Sequence, residues 1–238
     1  MNKVFSITMA YCQPDMLING LNNLSETAGR QPDYKLVLDN RWHMGAPDHA
    51  DQISLIAEHF GAKSYIVEKN LGGTIGFNYL VKCADELGCD QDDFILYFDP
   101  DTNVVNHGWL TAMMEVMKAD PKISVLCLWP FQNMRTDFVE TEVAGHKLRV
   151  YGAADMYSCC IWRRSFIGKG IEGWFKYYGQ IEIPAFEKAH RLGMYPAYLR
   201  DFKEAPCPIS HPKEYTRWKM EHVSNSFTGD FAEYLRTK

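Results

Sequence analysis

The sequence lacks most of the features that mark specialised classes of protein. No Cys-x-x-Cys pair occurs among its seven cysteines, Cys12, Cys83, Cys89, Cys127, Cys159, Cys160 and Cys207. That removes a zinc site of the usual spacing, and the odd, scattered count removes a disulfide framework. Cys127, Cys159 and Cys160 lie in apolar runs, as buried thiols do. No apolar run approaches the ~20 residues needed to cross a bilayer. The opening MNKVFSITMA has one Lys and no small-residue cleavage site, and it alternates like a strand rather than a signal peptide. The expectation is a cytoplasmic protein in a reducing compartment. No internal repeat, low-complexity stretch or interdomain linker is visible.

What is present is a chain of 238 residues, 46% hydrophobic and 23% charged. That suffices for a packed core and is too apolar for a disordered chain. The net charge is −5, unevenly spread. Residues 1–134 hold 9 Lys and Arg against 17 Asp and Glu, and residues 135–238 hold 16 against 13. Solvated helix faces account for such a split; so does a second half that meets something anionic.

The first 130 residues alternate between strand-like and helix-like stretches. Strands are predicted at 4–10, 34–38, 64–67, 94–98 and 123–128. Helices are predicted at 16–24, with Asp15 as cap, at 49–60, at the glycine-rich stretch through Leu87, and at 109–118. Such alternation argues for an α/β sheet with mainly parallel strands, whose ligands bind beyond the strands' carboxyl ends. The second half is less regular. Hairpin strands are predicted within 131–150, a strand at 157–162, and a helix at 182–192 with Pro184 in its first turn and Gly193 as C-cap.

Two stretches hold the chemistry. Residues 94–102 read FILYFDPDT, an apolar run ending in Asp99-Pro100-Asp101. Asp and Pro are ordinary turn residues. Two carboxylates at the mouth of a parallel sheet also suit Mg²⁺ or Mn²⁺, which bridge protein acids to substrate phosphates. The second stretch is Asn70-Leu71-Gly72-Gly73-Thr74-Ile75-Gly76-Phe77-Asn78. No Lys-Ser/Thr follows Gly76, so it is not a Walker loop, and its spacing is not the dinucleotide G-x-G-x-x-G. Its glycines serve either tight helix packing or close approach of backbone to a ligand.

In order, these stretches resemble the GT-A nucleotide-sugar glycosyltransferases, the large inverting family that includes rhamnosyltransferases and chitin and cellulose synthases. The first strand runs into Ala10-Tyr11. The second ends in Asp39-Asn40. The turn is similar to the family's N-x-G-x-x-x-(A/G)-x-N, and Asp99-x-Asp101 to its Asp-x-Asp metal motif. The likeness covers residues 4–130.

The resemblance implies one GT-A domain, with a nucleotide-sugar half at 1–130 and an acceptor half at 131–238. It implies a donor site of Ala10, Tyr11, Asp39, Asn70, Gly72, Gly76, Asn78 and Asp99. A Mn²⁺ or Mg²⁺ ion would be held by Asp99, Asp101 and His211, where a neutral imidazole in Pro208-Ile209-Ser210-His211-Pro212 is a suitable ligand. UDP is the nucleotide it implies. Counting back from Gly193 puts Glu182 where the family's catalytic base stands, although Ile181 replaces the family's Glu and an extra residue follows Gly179. Trp174, Tyr177 and Tyr178, with Arg163, are the expected acceptor wall, since aromatic faces stack on sugars or bases. The acceptor is a glycan, a lipid-linked glycan, a protein or a modified nucleic acid. A nucleotidyltransferase would need a basic, glycine-rich loop after the first strand, and Tyr11-Cys12-Gln13-Pro14 is not one. A non-catalytic nucleotide-sugar or nucleic-acid binder of the same fold is the other alternative.

Overall fold

The computed structural model describes residues 2–10, 13–40, 49–68, 71–129, 138–151, 159–171 and 182–209. The elements in chain order are β1 (Val4–Ala10), α1 (Pro14–Thr27), β2 (Tyr34–Asp39), α2 (His49–His59), β3 (Lys63–Ile66), α3 (Gly72–Glu86), β4 (Phe94–Phe98), α4 (Trp109–Ala119) and β5 (Ile123–Trp129). There follow the hairpin β6 (Phe138–Val143) and β7 (His146–Tyr151), then β8 (Cys159–Arg163), α5 (Arg164–Ile167), α6 (Glu182–Arg191) and β9 (Tyr195–Lys203).

The nine strands form one sheet in the order β3-β2-β1-β4-β8-β5-β9-β7-β6. The expectation of a mainly parallel sheet gives way to a mixed one. β3, β2, β1 and β4 are parallel, as are β5 and β9, while β8 runs antiparallel between β4 and β5. The β6–β7 hairpin extends the far edge with antiparallel pairings. β1 is buried along its whole length because helices cover both faces. That two-sided cover is why the parallel strands read as continuous apolar runs rather than alternating ones.

One face packs against α3 and α6. Phe77, Leu80, Ala84, Ala185 and Ala189 meet Ile7, Leu36, Ile95 and Trp162 there. The other face packs against α1 and α4, with Leu24, Trp109, Met113 and Met117 against Phe94, Leu96, Phe98 and Ile161. Leu17 and Leu21 of α1 also meet Ile53 and Ala57 of α2 over Val37. Two indole rings, Trp109 and Trp162, are fully buried. Trp109 Nε1 donates to Thr27 Oγ1 at 2.9 Å, which satisfies its one polar atom.

Asp15 is not the cap of α1. The cap is Gln13, whose carbonyl accepts from Leu17 N at 3.1 Å, and Pro14 begins the helix itself. Proline fits the first turn because its missing N–H is one that the helix would leave unpaired there. The three cysteines predicted to be buried are so: Cys127, Cys159 and Cys160 are at most 1% exposed.

Candidate functional site

β1 and β4 are neighbours, yet their connections leave in opposite directions across the sheet. β1 leads through α1 to β2 on one side; β3 leads through α3 back over to β4 on the other. A crevice opens beyond the strand ends at such a reversal. Ala10 pairs with Asp39 at the ends of β1 and β2, and Asp99 follows β4 directly. With strands spaced about 4.8 Å apart, Asp39 stands roughly 10 Å from the end of β4, across β1.

The acidic stretch is a β-turn. Thr102 N donates to Asp99 O at 3.0 Å, with Pro100 at the second position, where its fixed φ is favoured. The turn and the acidic seat are therefore the same object: the turn holds Asp99 and Asp101 half-buried at the crevice. Its backbone is pinned on several sides. A Cβ built on Gly20 of α1 would lie 2.6 Å from Pro100 O, so only glycine lets α1 approach this closely. Asn23 of α1 donates through Nδ2 to Val104 O at 2.9 Å and accepts through Oδ1 from Val104 N at 2.9 Å. Ala205 N donates to Asn103 O at 2.7 Å, and Val104 bridges Glu204. The Tyr97 hydroxyl donates to Asp99 Oδ1.

Glu204 was not foreseen from sequence. It is 6% exposed and lies beside the acidic turn. Burial, together with the charges of Glu204 and Asp99, holds the Cys159 thiol well above its ordinary pKa. Burial and, to a lesser degree, the charge of Asp101 raise Cys207. Asp99, Asp101 and Glu204, with Asp39 across β1, place four carboxyl groups along one edge of the sheet. Hard oxygen donors in this setting suit a hard divalent cation, which needs only one or two protein carboxylates when phosphates complete its shell. Among the described residues no group of three or more His, Cys, Asp or Glu side chains forms a metal site by itself. Asp99 and Asp101, two residues apart on one turn, are the carboxylates here that could hold such an ion.

The glycine-rich stretch divides into two roles. Gly72 begins α3 and is buried; its carbonyl lies 3.5 Å from Asn40 Nδ2, and Asn40 Oδ1 accepts from Leu71 N at 2.6 Å. Asn40, fully buried beside Asp39, therefore fastens the turn to the end of β2. Gly76 serves packing: a Cβ there would meet Met9 Sδ at 2.6 Å and Leu38 Cδ2 at 3.1 Å. Thr74, 5% exposed in the first turn of α3, stands near the same edge.

Three expected site residues are engaged within the fold. Asn78 clasps the backbone of Ile171. Its Oδ1 accepts from Ile171 N at 2.8 Å and its Nδ2 donates to Ile171 O at 3.4 Å, in a site 3% exposed. Gly76 faces the core side chains of Met9 and Leu38. Arg163 lies at the opposite end of β8, paired with Phe94 at the start of β4. Its guanidinium donates to the carbonyls of Met117, Asp120 and Ile123 and sits over the Phe94 ring. It acts as a structural cation at the end of β8 away from Asp99.

Glu182 is the first residue of α6. The tight turn after α6, closed by Met194 N to Ala189 O at 2.8 Å, sends the chain back into β9. α6 therefore begins at the sheet edge where β1, β2 and β4 end. Tyr11, Asn70, Trp174, Tyr177, Tyr178 and His211 lie outside the described residues.

The fold is GT-A, the fold of nucleotide-sugar glycosyltransferases. Among solved structures it is similar to GalNAc-T7 bound to UDP, GalNAc and Mn²⁺, with a TM-score of 0.68 and 9% identity over 87% of this chain and 44% of that one. It is also similar to the mannosyltransferase PcManGT of Pyrobaculum calidifontis with GDP-Man and Mn²⁺, with a TM-score of 0.59 and 10% identity over 93% and 61% of the two chains. The glucosyl-3-phosphoglycerate synthase of Mycobacterium tuberculosis, with Mn²⁺, UDP and glucosyl-3-phosphoglycerate, gives a TM-score of 0.56 and 11% identity over 93% and 77%. The chain thus spans less than half the length of GalNAc-T7. No protein-family model matches this sequence, and no curated protein matches it. Among the described residues no helix is long and apolar enough to cross a membrane.

Proposed function

We propose that this chain is a metal-dependent glycosyltransferase that moves a sugar from a nucleotide diphosphate donor, a UDP-sugar, to an acceptor hydroxyl with inversion. The observation that carries the reading is the meeting of Ala10, Asp39 and the Asp99–Asp101 turn at the reversal point of a GT-A sheet. Three similar structures hold a nucleoside diphosphate or its sugar together with Mn²⁺, which supports the same ligand class here.

In this reading Ala10, Tyr11, Asn70, Gly72 and the buried Asp39 line the pocket for base and ribose, and residues 1–130 form the donor half. Asp99 and Asp101, with His211, would hold the cation, whose chemistry there would be to neutralise charge on the donor diphosphate. Glu182, as general base, takes the proton from the acceptor hydroxyl. The acceptor oxygen then bonds to the anomeric carbon as that carbon's bond to the diphosphate breaks. The nucleoside diphosphate leaves with the electron pair, and one displacement inverts the centre. Residues 131–238, with Trp174, Tyr177 and Tyr178, receive the acceptor, whether glycan, lipid-linked glycan, protein or modified nucleic acid.

The test is a thermal-shift screen of nucleotide sugars with and without Mn²⁺. A Mn²⁺-dependent rise in melting temperature with UDP or a UDP-sugar is expected, followed by transfer whose product anomer is read by NMR. A nucleoside triphosphate stabilising the chain more than any nucleoside diphosphate would instead favour nucleotidyl transfer.

A further inference from the structure

We infer that Tyr97 is a positioning residue for the acidic turn: its hydroxyl sets the orientation of the Asp99 carboxylate before any ligand arrives. The inference rests on the reading of Asp99 and Asp101 as the donor and metal seat.

The argument begins with the backbone. Thr102 N to Asp99 O closes the turn, Gly20 presses α1 against Pro100, and Asn23 holds Val104 through both of its amide atoms. With the main chain held on these sides, the orientation of the Asp99 carboxylate is set by what its oxygens bond to, Tyr97 among them. Successive residues of a strand alternate faces, so Asp99, the first residue beyond β4 and two after Tyr97, continues the face of Tyr97. The Tyr97 hydroxyl then reaches Asp99 Oδ1.

The phenol is itself held. Its ring packs on Phe77 of α3, with centroids 6.0 Å apart, and Phe77 packs on Trp162 of β8 at 5.1 Å. Phe77 follows Gly76, whose missing Cβ lets α3 lie close on β1 and β2. A chain of packed rings thus connects the helix of the glycine-rich stretch to one oxygen of Asp99. A hydrogen bond from a neutral phenol to a carboxylate is charge-assisted and directional, so it favours one orientation of the Asp99 side chain. A carboxylate oriented in advance binds a cation or a ribose hydroxyl without losing side-chain entropy at that moment.

The test is Tyr97→Phe, which keeps the ring and its packing and removes only the hydroxyl. Mn²⁺ is titrated into the protein with and without UDP, and free Mn²⁺ is read by electron paramagnetic resonance. The variant should bind Mn²⁺ in the presence of UDP about 3- to 30-fold more weakly, a fraction of what one hydrogen bond to a charged group is worth. Steady-state kinetics should show the donor KM rising by a similar factor, with kcat changed less. In an Asp99→Ala background the same substitution should add nothing further.

Wild-type Mn²⁺ affinity in Tyr97→Phe overturns the inference. So does a further loss in the Asp99→Ala background, because the tyrosine would then act through a contact of its own. The two readings fail separately. If the wild-type protein takes up no Mn²⁺ with UDP, the donor-site reading falls and takes this inference with it. If the wild type binds, Asp101→Ala does not, and Tyr97→Phe binds normally, the inference alone falls.

Discussion

At the scale of single residues, the acidic turn depends on atoms that are absent as much as on those present. Gly20 sits inside α1, where alanine is ordinarily better by about 0.5–1 kcal/mol. Here the added methyl would meet the Pro100 carbonyl oxygen at 2.6 Å, a backbone atom that cannot swing aside as a flexible side chain would. Gly20→Ala should therefore destabilise by about 1–3 kcal/mol, the usual scale for overpacking, and weaken Mn²⁺–UDP binding; thermal denaturation with and without ligand reads both. A gain in melting temperature would mean that α1 has room to move. Asp101→Ala should abolish any Mn²⁺-dependent shift while leaving the melting temperature of the ligand-free protein within a few degrees. Nothing in the sequence distinguishes Gly20 from other glycines, because its constraint comes from a turn 80 residues away. The acidic turn was legible for the opposite reason: an apolar strand ending in Asp-Pro-Asp is a local pattern.

At the scale of elements, the helices and strands that lean on local pattern were readable, and those that lean on neighbours were not. The five strands of the first 130 residues follow from apolar runs bounded by turn residues. β9 was missed because Pro196, Arg200, Asp201 and Lys203 interrupt its pattern, yet it lies inside the sheet between β5 and β7. Its direction and that of β8 are settled by pairing partners, which no window of sequence displays.

Asn78 belongs to this scale too. Its place in a family-like motif pointed to the donor, whereas its amide clasps Ile171 and so fastens α3 to the segment after α5. Asn78→Ala leaves a buried N–H and carbonyl unsatisfied, at about 1–3 kcal/mol each. Urea denaturation should show a lower midpoint with an unchanged slope, and the folded fraction should bind UDP with wild-type affinity. Lost affinity without lost stability would return Asn78 to the donor pocket. If Glu182, at the start of α6, is the base of the proposed mechanism, Glu182→Gln should cut turnover by about 100-fold or more while nucleotide binding survives. Unchanged turnover would move the base elsewhere.

At the scale of the whole molecule, the two halves of the sequence share one sheet and are tied across it. Arg164, 5% exposed, grips Asp85 of α3 with two 2.7 Å bonds, and Arg163 binds three carbonyls between α4 and β5. Replacing Arg163 by Ala should cost about 2 kcal/mol or more, since hydrogen bonds to a charged group are among the stronger ones. No acceptor KM should change, because the side chain lies at the wrong end of β8. A selective rise in acceptor KM would contradict the assignment of Arg163 as a structural cation.

The antiparallel insertion of β8 has a consequence for how the molecule comes to exist. β4 is complete at Phe98, but the strand that covers its open side ends only at Arg163. During synthesis, at roughly 5–20 residues per second, the edge of β4 therefore stays uncovered for several seconds. Its Phe94, Ile95, Leu96 and Phe98 form an apolar strand of the kind that recruits other chains. A nascent chain stopped before Cys159 should accordingly remain protease-sensitive and be held by chaperones, and protection should appear only once Arg163 has left the ribosome.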